Sequence, residues 1–277
     1  MKIGVRVHDF GKSDAKTLAQ KAKAIGFDCV QLVLNKAIEG ETGLAGTLTK
    51  KKAKSFYKAF KKEGLEIAML GAYFNPVHSN KELVAKMVAK FKEHLEYEKA
   101  FHAGYVGSET GSYNDDKWTY NPLNRTEEAF NENVRIFSEL ASVAEKSKAK
   151  IALEGAYGHC MFEPKALKRL VDTIGSDSIY YTVDIYNYLS IDNYANHTQI
   201  FDECLELFKD RIVIFHIKDF IIEDGALKQC CIGKGVMNYD YIMPKIKENC
   251  PNAYLIFEGS KPDDMEFSYK FVQSKLK

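Results

Sequence analysis

The 277-residue sequence lacks the features that mark several classes of protein. No apolar run approaches the roughly 20 residues that a membrane-spanning helix needs, and Met1–Phe10 contains no apolar signal-peptide core. The 39 basic and 38 acidic residues leave a formal net charge of +1, so the sequence lacks the excess of positive charge that is typical of proteins that bind nucleic acid. We therefore expect a soluble cytoplasmic protein that has neither a membrane nor a nucleic-acid partner.

Paired cysteine motifs are also missing. The six cysteines are scattered along the chain and none forms a CxxC pair, so reduced thiols are the expected state. No low-complexity linker or change of composition divides the chain. With 45% hydrophobic and 28% charged residues, the composition is that of an ordinary globular protein. These features predict a single domain over residues 1–277.

Strand-like and helix-like segments alternate along the whole chain. Eight such pairs fit a length that suits a (β/α)₈ barrel, in which each of eight parallel strands is followed by a helix. A doubly wound open sheet is the alternative, but no GxGxxG sequence follows the first strand. The sequence therefore favours an α/β fold, a single-domain (β/α)₈ TIM barrel.

Four strand-like segments in the second half each end on a potential metal ligand. These residues are Glu154, Asp184, His216 and Glu258. A buried strand seldom ends on an unpaired charge, because such a charge is costly. The C-terminal ends of barrel strands lie at one rim, and neighbouring strands are about 4.8 Å apart. We therefore expect the four side chains to surround one divalent cation. Their mostly hard donor set favours Mn²⁺, Mg²⁺ or Co²⁺, with Zn²⁺ a further candidate.

The sequence around these ligands resembles the sugar phosphate isomerase/epimerase superfamily, the xylose-isomerase-like TIM barrels. The matching segments are Leu153-Glu154-Gly155, Val183-Asp184-Ile185-Tyr186-Asn187, His216-Ile217-Lys218-Asp219, Gly233-Lys234-Gly235 and Phe257-Glu258-Gly259. The resemblance covers the whole chain, and His-x-Lys-Asp is its most specific part. The group includes ketose 3-epimerases, inosose dehydratases and apurinic endonucleases.

The resemblance implies a metal-assisted reaction on a sugar. It implies that the four strand-end residues bind one divalent metal, and that Glu154 and Glu258 also serve as acid and base. A ketone and its neighbouring hydroxyl can chelate such a cation, which would stabilise an enediolate. One carboxylate can then remove a proton, and a second carboxylate on the other face can return it, which is epimerisation.

Three positions depart from the ketose 3-epimerase pattern. Those enzymes usually have a histidine at the position of Asn187, an arginine at that of Ile222 and a glutamate at that of Cys160, next to His159. In the family, the histidine, arginine and glutamate side chains at these positions bind substrate hydroxyls. We therefore expect an intact metal centre beside a pocket that is not built for free ketohexoses.

Further residues at the same rim are candidates for substrate binding. They are His8, Asn75, His78, Glu109, Asn187 and Lys218. Lys218 either neutralises a substrate oxygen or forms a salt bridge with Asp219. Gln31, within the second strand, either binds a hydroxyl or packs.

The leading prediction is a divalent-metal-dependent isomerase or epimerase of carbohydrate metabolism, acting on a sugar, keto-sugar or cyclitol. A lyase of the inosose dehydratase type is the nearest alternative, because the same enediolate can expel a β-hydroxyl. A non-catalytic sugar-binding barrel and a hydrolase like the apurinic endonucleases are remote alternatives. The dispersed arginines weakly favour an unphosphorylated substrate, and formation of a homo-oligomer is left open.

Overall fold

The computed structural model describes residues 1–277, and its main feature is a closed barrel of eight parallel strands. The barrel strands are β1 (Lys2–Arg6), β2 (Cys29–Leu32), β3 (Glu66–Gly71), β4 (Ala103–Glu109), β5 (Ile151–Glu154), β6 (Ile179–Asp184), β7 (Ile212–Ile217) and β10 (Tyr254–Phe257). Neighbouring strands pair in parallel, and β1 pairs with β10 to close the ring. The predicted (β/α)₈ fold is confirmed.

Helices surround the barrel on its outer side. They are α1 (Ala15–Ile25), α2 (Leu34–Ala37), α3 (Lys50–Lys62), α4 (Lys81–Phe101), α5 (Glu127–Ser147), α6 (Pro164–Ile174), α7 (His197–Phe208), α8 (Tyr239–Asn249) and α9 (Pro262–Lys275). Asn80 and Thr126 accept hydrogen bonds from backbone N–H groups in the first turns of α4 and α5, which fixes where the two longest helices begin. No helix combines the length and the apolar character needed to cross a membrane.

The hydrophobic core has two parts. The larger cluster lies mainly between the strands and the helices, and a small cluster contains Cys29, Ala68, Met69, Ala152, Ile214 and Ile256. Met69 leaves no room for a side chain on the neighbouring strand, because a Cβ atom on Gly107 would lie 2.1 Å from Met69 Sδ. Such dense packing makes the barrel a rigid frame for the strand ends.

One segment lies outside the predicted alternation of strands and helices. After β7 the chain forms an antiparallel hairpin of β8 (Asp219–Glu223) and β9 (Ala226–Cys230). Asp224 and Gly225 connect the two strands, and both have positive φ angles of 54° and 71°. An Asp-Gly pair with two positive φ angles is typical of a tight hairpin turn, so the sequence did contain the signal.

Candidate metal centre and active-site rim

The four predicted ligands lie together at the C-terminal rim of the barrel. Glu154 and Asp184 are the last residues of β5 and β6, His216 lies near the end of β7, and Glu258 directly follows β10. Ligand atoms of Glu154, His216 and Glu258 all lie within 4.8 Å of one another. The regular parallel register produces this convergence, for example by pairing Asp184 with His216.

The ring of His216 is held in one orientation. Its Nε2 atom lies 2.8 Å from Gln31 Oε1, and Gln31 in turn donates from Nε2 to the Tyr73 hydroxyl at 2.8 Å. With the proton on Nε2, the Nδ1 atom faces Oε2 of Glu154 at 3.1 Å and Oε2 of Glu258 at 3.0 Å. Gln31 therefore orients the imidazole rather than binding a sugar hydroxyl.

Asp184 borders this three-residue group. Its Oδ2 atom lies 3.9 Å from His216 Nδ1, and 2.8 Å from the Lys218 ammonium. Lys218 Nζ also lies 3.0 Å from Glu258 Oε1 and donates to Asn187 Oδ1 at 3.1 Å. The ammonium group thus neutralises part of the carboxylate charge within the cluster.

Each glutamate of the cluster has one oxygen anchored. Asn187 donates from Nδ2 to Glu154 Oε1 at 2.6 Å, while Arg6 Nη1 and Lys218 Nζ both lie 3.0 Å from Glu258 Oε1. The Oε2 atoms of both glutamates are left facing the imidazole. The anchored carboxylates therefore present one oxygen each to the same point.

Burial and charge shift the pKa values of these groups in opposite directions. Burial raises the pKa of Glu154 and that of Asp184. Burial alone would also raise the pKa of Glu258, but Lys218, His216 and Arg6 lower it below its usual value. For His216, burial acts to lower the pKa, yet the carboxylates of Glu154 and Glu258 raise it to about 9. The surrounding carboxylates therefore favour the protonated form of the imidazole.

The donor set fits a divalent cation. The buried atoms His216 Nδ1 and Asp184 Oδ2 have no hydrogen-bond partner of good geometry, although charged groups surround them. Three carboxylates and one imidazole nitrogen are ligands that Mn²⁺, Mg²⁺, Co²⁺ and Zn²⁺ accept. A cation among these atoms would give each of them a partner of suitable geometry.

The lysine and the aspartate of the His-x-Lys-Asp motif point to different parts of the structure. Lys218 turns into the cluster, whereas Asp219 turns away and does not form the salt bridge with Lys218 that was the alternative role. The Asp219 carboxylate accepts hydrogen bonds from the backbone N–H groups of Phe220, Gly233, Gly235 and Met237. A Cβ atom on Gly235 would lie 2.2 Å from Asp219 Oδ1, so this loop position requires glycine. Asp219 therefore fastens the loop after the hairpin to the end of β7.

Two cavities open beside the cluster. The rim cavity has a volume of about 410 Å³ and is lined by Arg6, His8, Val33, Asn35, Lys36, Tyr73, Met87, Lys90, Glu109, Asp116, Trp118 and Glu258. The aromatic cavity has a volume of about 550 Å³ and includes Trp118, Tyr120, Tyr157, His159, Tyr186 and Asn187. Glu109 and Trp118 line both cavities, so the two spaces adjoin. Together they are large enough for a sugar or cyclitol.

The structure places the predicted substrate-binding residues in different roles. His8 and Glu109 line the rim cavity, and Asn187 lines the aromatic cavity. Burial, with the negative charge of Glu258, raises the pKa of Glu109 to about 7. His8 and Glu109 are therefore available to a bound molecule, whereas Asn187 and Lys218 already make polar contacts within the cluster.

Asn75 and His78 are not brought to either cavity, which corrects their predicted placement. Asn75 donates to the carbonyl oxygens of Ser112 and Asp115, and its own Oδ1 accepts from the N–H groups of Val77 and Ser112. All its polar atoms are therefore used to hold the loop after β4. His78 faces Asp115 and Asp116 of the same loop.

Sequence reasoning missed two kinds of rim residue. Arg6 is the last residue of β1, so the strand-end rule that found the ligands would also have found it. Lys36 and Lys90 come from helices α2 and α4, and the sequence around them gives no sign that they line a cavity.

Of the positions that depart from the epimerase pattern, Ile222 lies on the exposed hairpin and Cys160 is buried. His159 lies 3.8 Å from Glu109.

The role of Asp219 predicts a loss of stability on its removal. Asp219→Ala leaves four backbone N–H groups without their acceptor, and we expect the free energy of unfolding to fall by about 2–4 kcal/mol. Asp210→Ala is the matched control, because Asp210 is exposed and forms no ion pair. Urea denaturation followed by circular dichroism measures both variants. Equal stability of the two variants would contradict the anchoring role.

Comparison with known proteins gives the family. A search of curated proteins finds no significant match. Among solved structures, a D-tagatose 3-epimerase-like protein is 22% identical, with a TM-score of 0.77, covering 100% of this chain and 97% of its own. A xylose isomerase-like TIM barrel protein from Mycobacterium smegmatis, in complex with magnesium, is 16% identical, with a TM-score of 0.73 and coverage of 100% and 98%.

A third structure extends the range of chemistries on this fold. The probable 3-DHS dehydratase of petrobactin synthesis from Bacillus anthracis is 13% identical, with a TM-score of 0.74 and coverage of 99% of both chains. The family model described as xylose isomerase-like TIM barrel matches residues 19–274, which is most of the sequence. Motifs, barrel and family model agree, and the chain belongs to the xylose isomerase-like TIM barrel family.

Proposed function

We propose that the protein is a divalent-metal-dependent isomerase or epimerase that moves a proton on the carbon next to a carbonyl of a sugar, keto-sugar or cyclitol. The observation that carries this proposal is the pair of anchored glutamates. Glu154 and Glu258 each present Oε2 to His216 Nδ1, at 3.1 and 3.0 Å, beside a cavity of about 410 Å³. Two carboxylates that face one point can share the removal and return of a proton.

Glu154, Asp184, His216 and Glu258 would hold the cation. When bound, it would polarise a substrate carbonyl and stabilise negative charge on neighbouring oxygens. Mn²⁺, Mg²⁺ and Co²⁺ suit the three carboxylates best, and Zn²⁺ also suits the imidazole. The magnesium in the Mycobacterium smegmatis neighbour supports a cation of this kind.

The chain's own groups would position the acid and base. Asn187 restrains Glu154, and Arg6 restrains Glu258, so that neither carboxylate can rotate freely. Trp118 lines both cavities, and its indole would pack against a sugar ring bound there. The D-tagatose 3-epimerase-like neighbour supports a sugar substrate, whereas Asn187 and Cys160 argue against a free ketohexose.

A lyase is the second candidate. Lys218 Nζ lies 3.0 Å from Glu258 Oε1, so an ammonium donor stands beside one of the two bases. Such a donor can protonate a leaving hydroxyl after the first proton is removed. The dehydratase from Bacillus anthracis has the same fold. An ultraviolet-absorbing enone product would identify dehydration, since epimerisation forms none.

Metal binding gives the first test. We expect the wild-type chain to bind about one Mn²⁺. His216→Ala removes the nitrogen ligand and Asp184→Asn removes the negative charge of an oxygen ligand, so each should weaken binding at least about tenfold. Glu154→Gln keeps an amide oxygen and should retain weaker binding. Asp210→Asn is the control for loss of a carboxylate elsewhere. Isothermal titration calorimetry measures all four variants. Equal affinity of wild type and His216→Ala would rule out this site.

Solvent exchange tests the proton transfer. Turnover of a keto-sugar or inosose in D₂O, screened by NMR with added Mn²⁺, should place deuterium on the carbon next to the carbonyl. If one glutamate serves each face, Glu258→Gln should still exchange that proton from one face while net epimerisation stops. Glu154→Gln is the converse variant. In it, exchange at the face served by Glu154 should stop, while exchange at the face served by Glu258 continues.

One outcome would reject the proton-transfer mechanism alone. Product that forms without any solvent deuterium points to hydride transfer between neighbouring carbons. That result would leave the cation site standing and remove the two glutamates from the roles of acid and base.

A further inference from the structure

One wall of the rim cavity carries an ammonium group that no carboxylate neutralises. Lys90 lies on α4, lines the cavity and is only 3% exposed. It forms no ion pair, and its one polar neighbour is Asn35 Oδ1 at 3.5 Å. A buried charge without a counterion is costly, and lysines are almost never buried unless they are paired. The packing of the fold alone does not account for this ammonium.

The neighbours of Lys90 add positive charge. Lys36, on α2, lines the same cavity and forms no ion pair either. Burial lowers the pKa of Lys90, and the charge of Lys36 lowers it further. Lys36 therefore lies close enough for its charge to act on Lys90, and an anion bound between the two ammonium groups would be attracted by both.

His8 completes this wall. It lines the cavity from the turn after β1, and its buried Nδ1 atom has no hydrogen-bond partner. Burial, followed by the charges of Arg6 and Lys36, lowers the pKa of His8 to about 3, so the imidazole is neutral near pH 7. A neutral imidazole can donate one hydrogen bond to an anion without adding charge.

The acidic residues of the cavity do not pair with its two lysines. Arg6 and Lys218 pair with Glu258, and Asp116 is 92% exposed to solvent beside His78. Burial raises the pKa of Glu109 to about 7, which makes its carboxyl a poorer counterion near neutral pH than an exposed glutamate. None of the three carboxylates pairs with Lys36 or Lys90.

We propose that Lys90, Lys36 and His8 form an anion subsite, and that the substrate carries a carboxylate or phosphate group that binds there. The inference rests on the proposed function and names the substrate class of the same site. Because Glu258 lines the same cavity, one small molecule can contact both the subsite and the metal centre. An anion at this wall receives two ammonium groups and one N–H donor, the usual partners of carboxylates and phosphates.

The subsite revises an expectation from the sequence. Dispersed arginines weakly favoured an unphosphorylated substrate, but the cations at this wall are lysines from two separate helices. Their proximity depends on the packing of α2 and α4 around the rim.

Anion binding by the full-length chain without added metal tests the subsite. Titration with inorganic phosphate and, separately, with acetate is followed by ¹H–¹⁵N chemical shifts. We expect saturable binding of at least one anion, weakened about tenfold or more in Lys90→Met, since a charge-assisted hydrogen bond is lost. Lys90→Arg keeps the charge and should stay within about threefold of wild type.

Two further variants complete the design. Lys86→Met is the matched control, because Lys86 is an exposed lysine of α4 that does not line the cavity, and it should bind within about twofold of wild type. Lys36→Met removes an exposed side chain, so it tests the subsite even if Lys90→Met does not fold. It should weaken binding at least about threefold.

The outcomes separate the two anion types and the two proposals. Binding of phosphate alone identifies a phosphorylated substrate, binding of acetate identifies a carboxylate-bearing one, and either result supports the subsite. Absence of saturable binding to wild type overturns it, as does equal binding by Lys36→Met, Lys86→Met and wild type. The measurement needs neither a cation nor turnover, so loss of the metal site would not affect it.

Discussion

The arrangement of the rim depends on the burial of three carboxylates around one imidazole. Removing Glu154, Asp184 and Glu258 from water is expensive, and their mutual repulsion adds to the cost. The structure offsets this with the positive charges of His216 and Lys218 and with Arg6 at the edge. Each of these groups comes from a strand end, so the balance exists only when the barrel is closed. A divalent cation at the same place would displace a proton from His216 and take over its part in balancing the carboxylates.

The residues around the cluster fix its geometry instead of adding to its chemistry. Gln31 determines which ring nitrogen of His216 faces the carboxylates, and Asn187 determines which oxygen of Glu154 does so. Asp219 holds the loop after the hairpin through the backbone N–H groups of Gly233, Gly235 and Met237. Such supporting contacts keep functional atoms within the small tolerances that metal binding and proton transfer need.

The strand-end residues were predictable because their signal is local. An apolar run that stops on Glu154 or His216 can be recognised in the sequence, and the parallel topology then brings the ends to one rim. Arg6 obeys the same rule and was overlooked. The Asp224-Gly225 pair was also visible in the sequence and was overlooked.

Other residues could not be placed from sequence, because their surroundings are set by distant packing. Lys90 lies on the inner side of α4, and only the folded structure shows that it lacks a carboxylate partner. Asn75 is a polar residue that follows a barrel strand and could therefore be expected in the pocket, yet all its polar atoms hold the loop after β4.

The central claim is that the carboxylate–imidazole cluster binds one divalent cation. Crystals grown with Mn²⁺ and measured at the manganese absorption edge test this most directly, because anomalous scattering locates the ion without assumptions about its ligands. The account predicts one strong peak bounded by His216 Nδ1 and by carboxylate oxygens of Glu154, Asp184 and Glu258. No peak at that place in crystals soaked in excess Mn²⁺, with Lys218 still paired to Asp184, would contradict it.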